Sequence, residues 1–116
     1  MVLVVSVQER AWSDDPSSFL QAGINAYQSG KYDEAKTSFT QLLNDSRWSF
    51  VALYNLGNIA VRQKHIGEAL AYYKLALKKK PHDQDTRVNL RLISNNIGAA
   101  QFGKSASNLS SYVPSI

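Results

Sequence analysis

Leu53-Tyr54-Asn55-Leu56-Gly57-Asn58-Ile59-Ala60 is echoed 34 residues upstream by Phe19-Leu20-Gln21-Ala22-Gly23-Ile24-Asn25-Ala26. The echo continues past both stretches. Glu34 answers to Glu68, Ala35 to Ala69, Phe39 to Tyr73 and Leu43 to Leu77, each at the same spacing. A fixed period of this length marks a repeat architecture in which each unit is a helix, a turn and a second helix. No single unit buries its apolar face alone. Neighbours must stack to do so.

Outward from the echo, the helix boundaries follow. Asp14-Asp15-Pro16 reads as a start, with an aspartate cap before a proline at the first helical position. Phe19, Ala22, Gly23, Ala26 and Tyr27 recur at helical spacing, and Ser29-Gly30-Lys31 ends the helix. Asp33-Glu34 starts the next, with Ala35, Phe39, Leu42 and Leu43 as its buried stripe. Asn44-Asp45-Ser46 is a turn. The second unit runs from Ser49 to Gln63, turns at Lys64-His65, and ends at Lys78-Lys79-Lys80-Pro81. A fifth helix is predicted over about 83–98. Arg91 stands there, 34 residues after Gly57, where a further unit needs a small residue. The helix is therefore expected to be a cap.

These residues resemble the tetratricopeptide repeat family over about 16–97. The pattern of that family is an aromatic, Leu-Gly, a tyrosine, then Ala-x-x-x-Phe and Pro. Here it reads Phe19-x-x-Ala22-Gly23-x-x-Ala26 with Ala35-x-x-x-Phe39, then Leu53-x-x-Leu56-Gly57-x-x-Ala60 with Ala69-x-x-x-Tyr73 and Pro81. Ala26 and Ala60 stand in the tyrosine place, and the first unit lacks its proline. The resemblance implies an all-α, right-handed solenoid of two units, about 16–49 and 50–83, with the cap helix behind them. Gly23, Ala26, Gly57 and Ala60 are expected to let helices approach closely, and Phe39 and Tyr73 to fill space toward the next unit. Residues 51–90 also resemble the repeat region of bacterial BatE-type aerotolerance-operon proteins, which implies a cell-envelope setting, with a cytoplasmic one as the alternative.

Composition agrees with a folded helical domain at 14–98. Hydrophobic residues make up 44% and charged ones 19%, a balance that disfavours disorder. The net charge of +4 is too small to argue for nucleic acid. There is no cysteine, so disulfides and thiolate metal sites are excluded. Residues 1–13 form an extension whose apolar run, Met1 to Val7, reads equally as a signal remnant, a short strand or a loose end. Residues 99–116 are serine-rich and read as a mobile tail.

Catalytic and metal constellations do not stand out. His65 and His82 lie in separate turns, and the carboxylate pairs mark helix starts, where negative charge is favourable. No enzyme activity, cofactor or metal is expected. The lysine run is expected to be a solvated helix end, away from any binding surface. The first helix of each unit should line a concave groove. Register assigns to it Leu20, Ile24, Tyr27 and Gln28, then Val51, Tyr54, Asn58, Val61 and Arg62, then Asp85, Val88 and Leu92. An exposed apolar patch of this kind marks a contact site. The expected function is a non-enzymatic adaptor for an apolar or aromatic peptide of a protein partner. The alternative is self-assembly through repeat faces or chain ends, giving a homo-oligomer.

Overall fold

The computed structural model describes residues 15–95. Among these, five α-helices and no strands are present: α1 (Pro16–Gln28), α2 (Tyr32–Gln41), α3 (Ser49–Arg62), α4 (Ile66–Lys79) and α5 (Gln84–Asn95). A 3₁₀ turn, Leu42–Asn44, extends α2, so Leu42 and Leu43 lie in that turn and not in the α-helix proper. α1 pairs with α2 and α3 with α4. α2 packs against α3, and α4 against α5, which joins the pairs into one array. The extension at 1–13, the tail at 99–116 and the end of the fifth helix, with Ile97, lie outside the described residues.

Close packing within each pair is achieved at the glycines. A Cβ placed on Gly57 would lie 2.5 Å from Cε1 of Tyr73, and one on Gly23 would lie 2.7 Å from Cε2 of Phe39. Both aromatic rings are fully buried. Both rings rest on the glycine of their own unit. The reason is geometric: removing a Cβ opens a slot only where the facing helix is nearest, and that helix is the unit's own partner. Tyr73 also reaches the next helix, where Asn89 Nδ2 on α5 lies 3.5 Å from its hydroxyl.

The turns after α1 and α3 are built alike. Lys31 N–H bonds Ala26 C=O and Gly30 N–H bonds Tyr27 C=O. His65 N–H bonds Ala60 C=O and Lys64 N–H bonds Val61 C=O. These paired bonds form a Schellman cap, which needs a left-handed residue. Gly30 supplies it at φ 75°, whereas the second unit uses Lys64 at φ 63°. A side chain in that region costs about 1–2 kcal/mol. Lys64→Gly is therefore expected to stabilise the fold by about 0.5–1 kcal/mol, after the added freedom of the unfolded chain is subtracted. Chemical denaturation would show a raised midpoint. An unchanged or lowered one refutes the claim of strain at Lys64.

Helix starts are less faithful to expectation. Asp15 is the cap of α1, but its carboxylate accepts from the Ser17 hydroxyl and does not cap the backbone. Asp45 accepts from the Arg47 backbone N–H at 2.9 Å and from its guanidinium at 3.2 and 2.8 Å, which holds the Asp45 carboxyl below its usual range. This contact orders the turn before α3.

α3 is the most deeply buried helix. Ala52, Leu53, Asn55, Leu56, Gly57, Asn58, Ile59, Ala60 and Val61 are all buried, so it is enclosed by α2 on one side and α4 on the other. By contrast α1 buries only Gly23, Ala26 and Tyr27.

Candidate functional site: the concave face

α1, α3 and α5 occupy equivalent places in the repeat and carry the side chains of the expected groove. Leu20 and Ile24 on α1, Val51 and Tyr54 on α3, and Val88 and Leu92 on α5 are half-buried. Gln28, Arg62 and Asp85 are exposed and provide polar points around them. The strip is shallower than expected. Leu20, Ile24, Tyr54 and Leu92 pack partly against the core, and among the described residues Leu75 on α4 is the exposed large hydrophobic.

Three of the expected groove residues do not present themselves to a ligand. Asn58 and Val61 are 0% and 1% exposed, and Tyr27 is 5% exposed. Asn58 is turned into the core, where the Tyr73 hydroxyl donates to its Oδ1 at 2.6 Å and its own Nδ2 donates to Asn55 Oδ1 at 3.3 Å. Asn89 Nδ2 reaches the same Tyr73 hydroxyl at 3.5 Å. Burial raises the Tyr73 hydroxyl pKa strongly, so it stays a neutral donor. Val61 is covered because α3 is packed on both sides. Tyr27 is sealed by the second unit: Arg62 Nε donates to its hydroxyl at 3.2 Å, and the guanidinium lies 5.6 Å from the ring centroid. Arg62 thus joins the two units while its outer edge stays exposed. Gln63 to Asp33 at 2.9 Å and Lys36 to Glu68 at 3.5 Å join them further.

Tyr54 is the centre of the strip. Its ring stacks on Phe50 at 6.1 Å and tilts against Tyr73 at 6.1 Å. The hydroxyl is shielded from solvent and, among the described residues, makes no hydrogen bond of good geometry, although the Asn58 and Asn89 amides lie beside it. Burial pushes it up to about 12, with the nearby Asp85 charge adding to the shift. What Tyr54 offers outward is therefore ring surface and not a polar tip.

Phe50 was missing from the expected groove, and so was one cation. Lys80 Nζ lies 4.6 Å from the Phe50 centroid, so the lysine run does not sit wholly away from this face. Lys78 and Lys79 are exposed, as expected of a helix end. The signal was available in part: Phe50 precedes Val51 in the register, but an aromatic in the first helical turn reads equally as part of a helix start.

With two helical hairpins stacked in register, small residues at the crossings and an unpaired helix behind, the architecture is that of a helical repeat protein. Comparison with protein families matches residues 26–91 to the tetratricopeptide repeat, and the chain belongs to that family. Comparison with curated proteins and with solved structures returned no match. Tetratricopeptide repeats generally mediate protein–protein interactions, and the family is typically non-catalytic. No helix among the described residues is long and apolar enough to cross a membrane.

Proposed function

We propose that this protein is an adaptor that holds an extended or helical, largely apolar peptide of a protein partner along its concave face. The observation that carries this reading is the run of half-exposed side chains on three successive first helices: Leu20, Ile24, Val51, Tyr54, Val88 and Leu92. The strip is continuous in register and bordered by polar residues, the usual layout of a contact surface with an apolar centre. The scaffold under its centre is held together, because Asn58, Tyr73 and Asn89 link α3, α4 and α5. Binding then orders little on the protein side. Resemblance of residues 51–90 to the aerotolerance-operon repeats adds a bacterial cell envelope as the proposed setting.

Peptides selected from a displayed library against the intact protein test this. They should be enriched in apolar and aromatic residues, and Tyr54→Ala should weaken them about tenfold while helicity is kept. The effect is moderate because half of the Tyr54 ring is already used in the core. Peptides that bind the variant equally well remove the concave face as the working surface. Sedimentation that instead shows mass growing with concentration supports the assembly reading, since heterologous contacts that do not close build filaments.

A further inference from the structure

The two ends of the array differ in charge. At the α1 end, the places that α3 fills with buried Ala52, Asn55 and Ile59 hold Ser18, Gln21 and Asn25, all neutral. At the α5 end, register identifies the face against which a second helix would pack. Gly57 faces α4, with Leu53 and Ala60 one turn to either side of it on α3, and their counterparts on α5 are Arg87, Arg91 and Ser94, all exposed. Lys36 turns from α2 toward α4 to meet Glu68, and its counterpart on α4 is Leu70, half-buried. Lys74 and Lys78 follow Leu70 at successive turns and are exposed, while half-buried Leu90 lies one turn beyond Arg87 on α5.

Lys74, Lys78, Arg87 and Arg91 make no ion pair with a described residue. Lys74 with Lys78, and Arg87 with Arg91, place like charges four residues apart, which weakens a helix. Residues 96–116 contain no aspartate or glutamate, so this stretch brings no acidic side chain to the cluster. Capping an array requires only a polar outer face, and the α1 end meets that need with neutral side chains. The positive charge around Leu70 and Leu90 exceeds it.

We propose that this end face docks an acidic amphipathic helix of a partner protein, its apolar stripe over Leu70 and Leu90 and its carboxylates toward Lys74, Lys78, Arg87 and Arg91. The leucines lie deeper than the cations around them, which fits a ridge of helix side chains. No aromatic stands between Lys74 and Lys78 or between Arg87 and Arg91 in the chain, where single-stranded nucleic acid would use one for stacking. This surface is separate from the concave face, so the two readings stand or fall independently.

Fluorescence anisotropy on the intact chain provides the test. The probe is a labelled synthetic helix of about 20 residues with leucine on one stripe and glutamate elsewhere. It should bind at least tenfold more tightly than its lysine-for-glutamate counterpart. Arg87→Glu combined with Arg91→Glu should weaken it at least tenfold, whereas Lys31→Glu, a single charge reversal in the turn between α1 and α2, should change it less than twofold. Should the double reversal unfold, Arg87→Gln with Arg91→Gln is read instead, with a several-fold loss expected and helicity checked. Equal binding of the two peptides, absence of binding, or undiminished affinity in a folded double variant overturns the proposal. Tighter binding to single-stranded DNA or to phosphatidylserine vesicles than to the acidic helix also overturns it.

Discussion

Gly57→Leu is expected to cost about 3 kcal/mol or more, at the upper end of what overpacking does, and to lower the melting midpoint by more than about 10 °C. Even one added carbon would sit 2.5 Å from the Tyr73 ring. Tyr73 has nowhere to go. It is fully buried, and its hydroxyl is tied to Asn58 at 2.6 Å. The milder Gly57→Ala separates the possible causes. Alanine gains up to about 1 kcal/mol of helix propensity over glycine, so a propensity-dominated site becomes more stable. Here the clash should win, and the variant should be less stable. Gly23→Ala meets Phe39 at 2.7 Å, but that ring has no hydroxyl tether, so its loss should be smaller. Thermal melts of the three variants decide. A midpoint unchanged in Gly57→Leu removes the close-packing account.

The second large effect concerns the buried pair Asn58 and Tyr73. Their counterparts in the first unit are Ile24 and Phe39, so one unit uses an apolar pair where the other uses a hydrogen-bonded one. Asn58→Ile alone leaves the Tyr73 hydroxyl without its acceptor and removes the donor to Asn55. Tyr73→Phe alone leaves the Asn58 carbonyl without its donor. An unsatisfied buried polar group costs about 1–3 kcal/mol, so about 2 kcal/mol is expected for each. The double variant should cost less than the sum by about 1 kcal/mol or more, because the pair is then removed together. Denaturant midpoints for the four proteins give the coupling. Strict additivity would mean that the two side chains do not act as a pair.

Much of the fold was legible because repetition is a property of the letters themselves. Gly23 with Gly57 and Phe39 with Tyr73 identify the crossings without any knowledge of depth. What periodicity cannot supply is which of two neighbours a side chain turns to. Asn58 follows the groove register, and a polar residue there reads as an exposed contact. It is buried because the hydroxyl that distinguishes Tyr73 from Phe39 calls for an acceptor inside. Tyr27 was misplaced for a related reason: its cover, Arg62, comes from the next unit, 35 residues on. Leu20, Ile24, Val51, Tyr54, Val88 and Leu92 are half-buried where the register set them at the surface, because they border the packed face of their helices. Phe50 and Lys80 escaped notice because their contact joins the start of one helix to the end of another, which no single-helix pattern reports.

Enclosure of α3 on both flanks has a bearing on how the molecule opens. In a linear array, an end element can detach and leave the rest standing, while a shared element cannot. α1 and α5 each bury three residues, so either end helix can fray as a small local excursion. α3 cannot leave without dissolving the contacts of α2 and α4 together, and its release is the unfolding of the whole domain. The two end helices are therefore the yielding parts of the concave face, with Leu20 and Ile24 at one end and Val88 and Leu92 at the other, while Tyr54 on the shared helix is its fixed point.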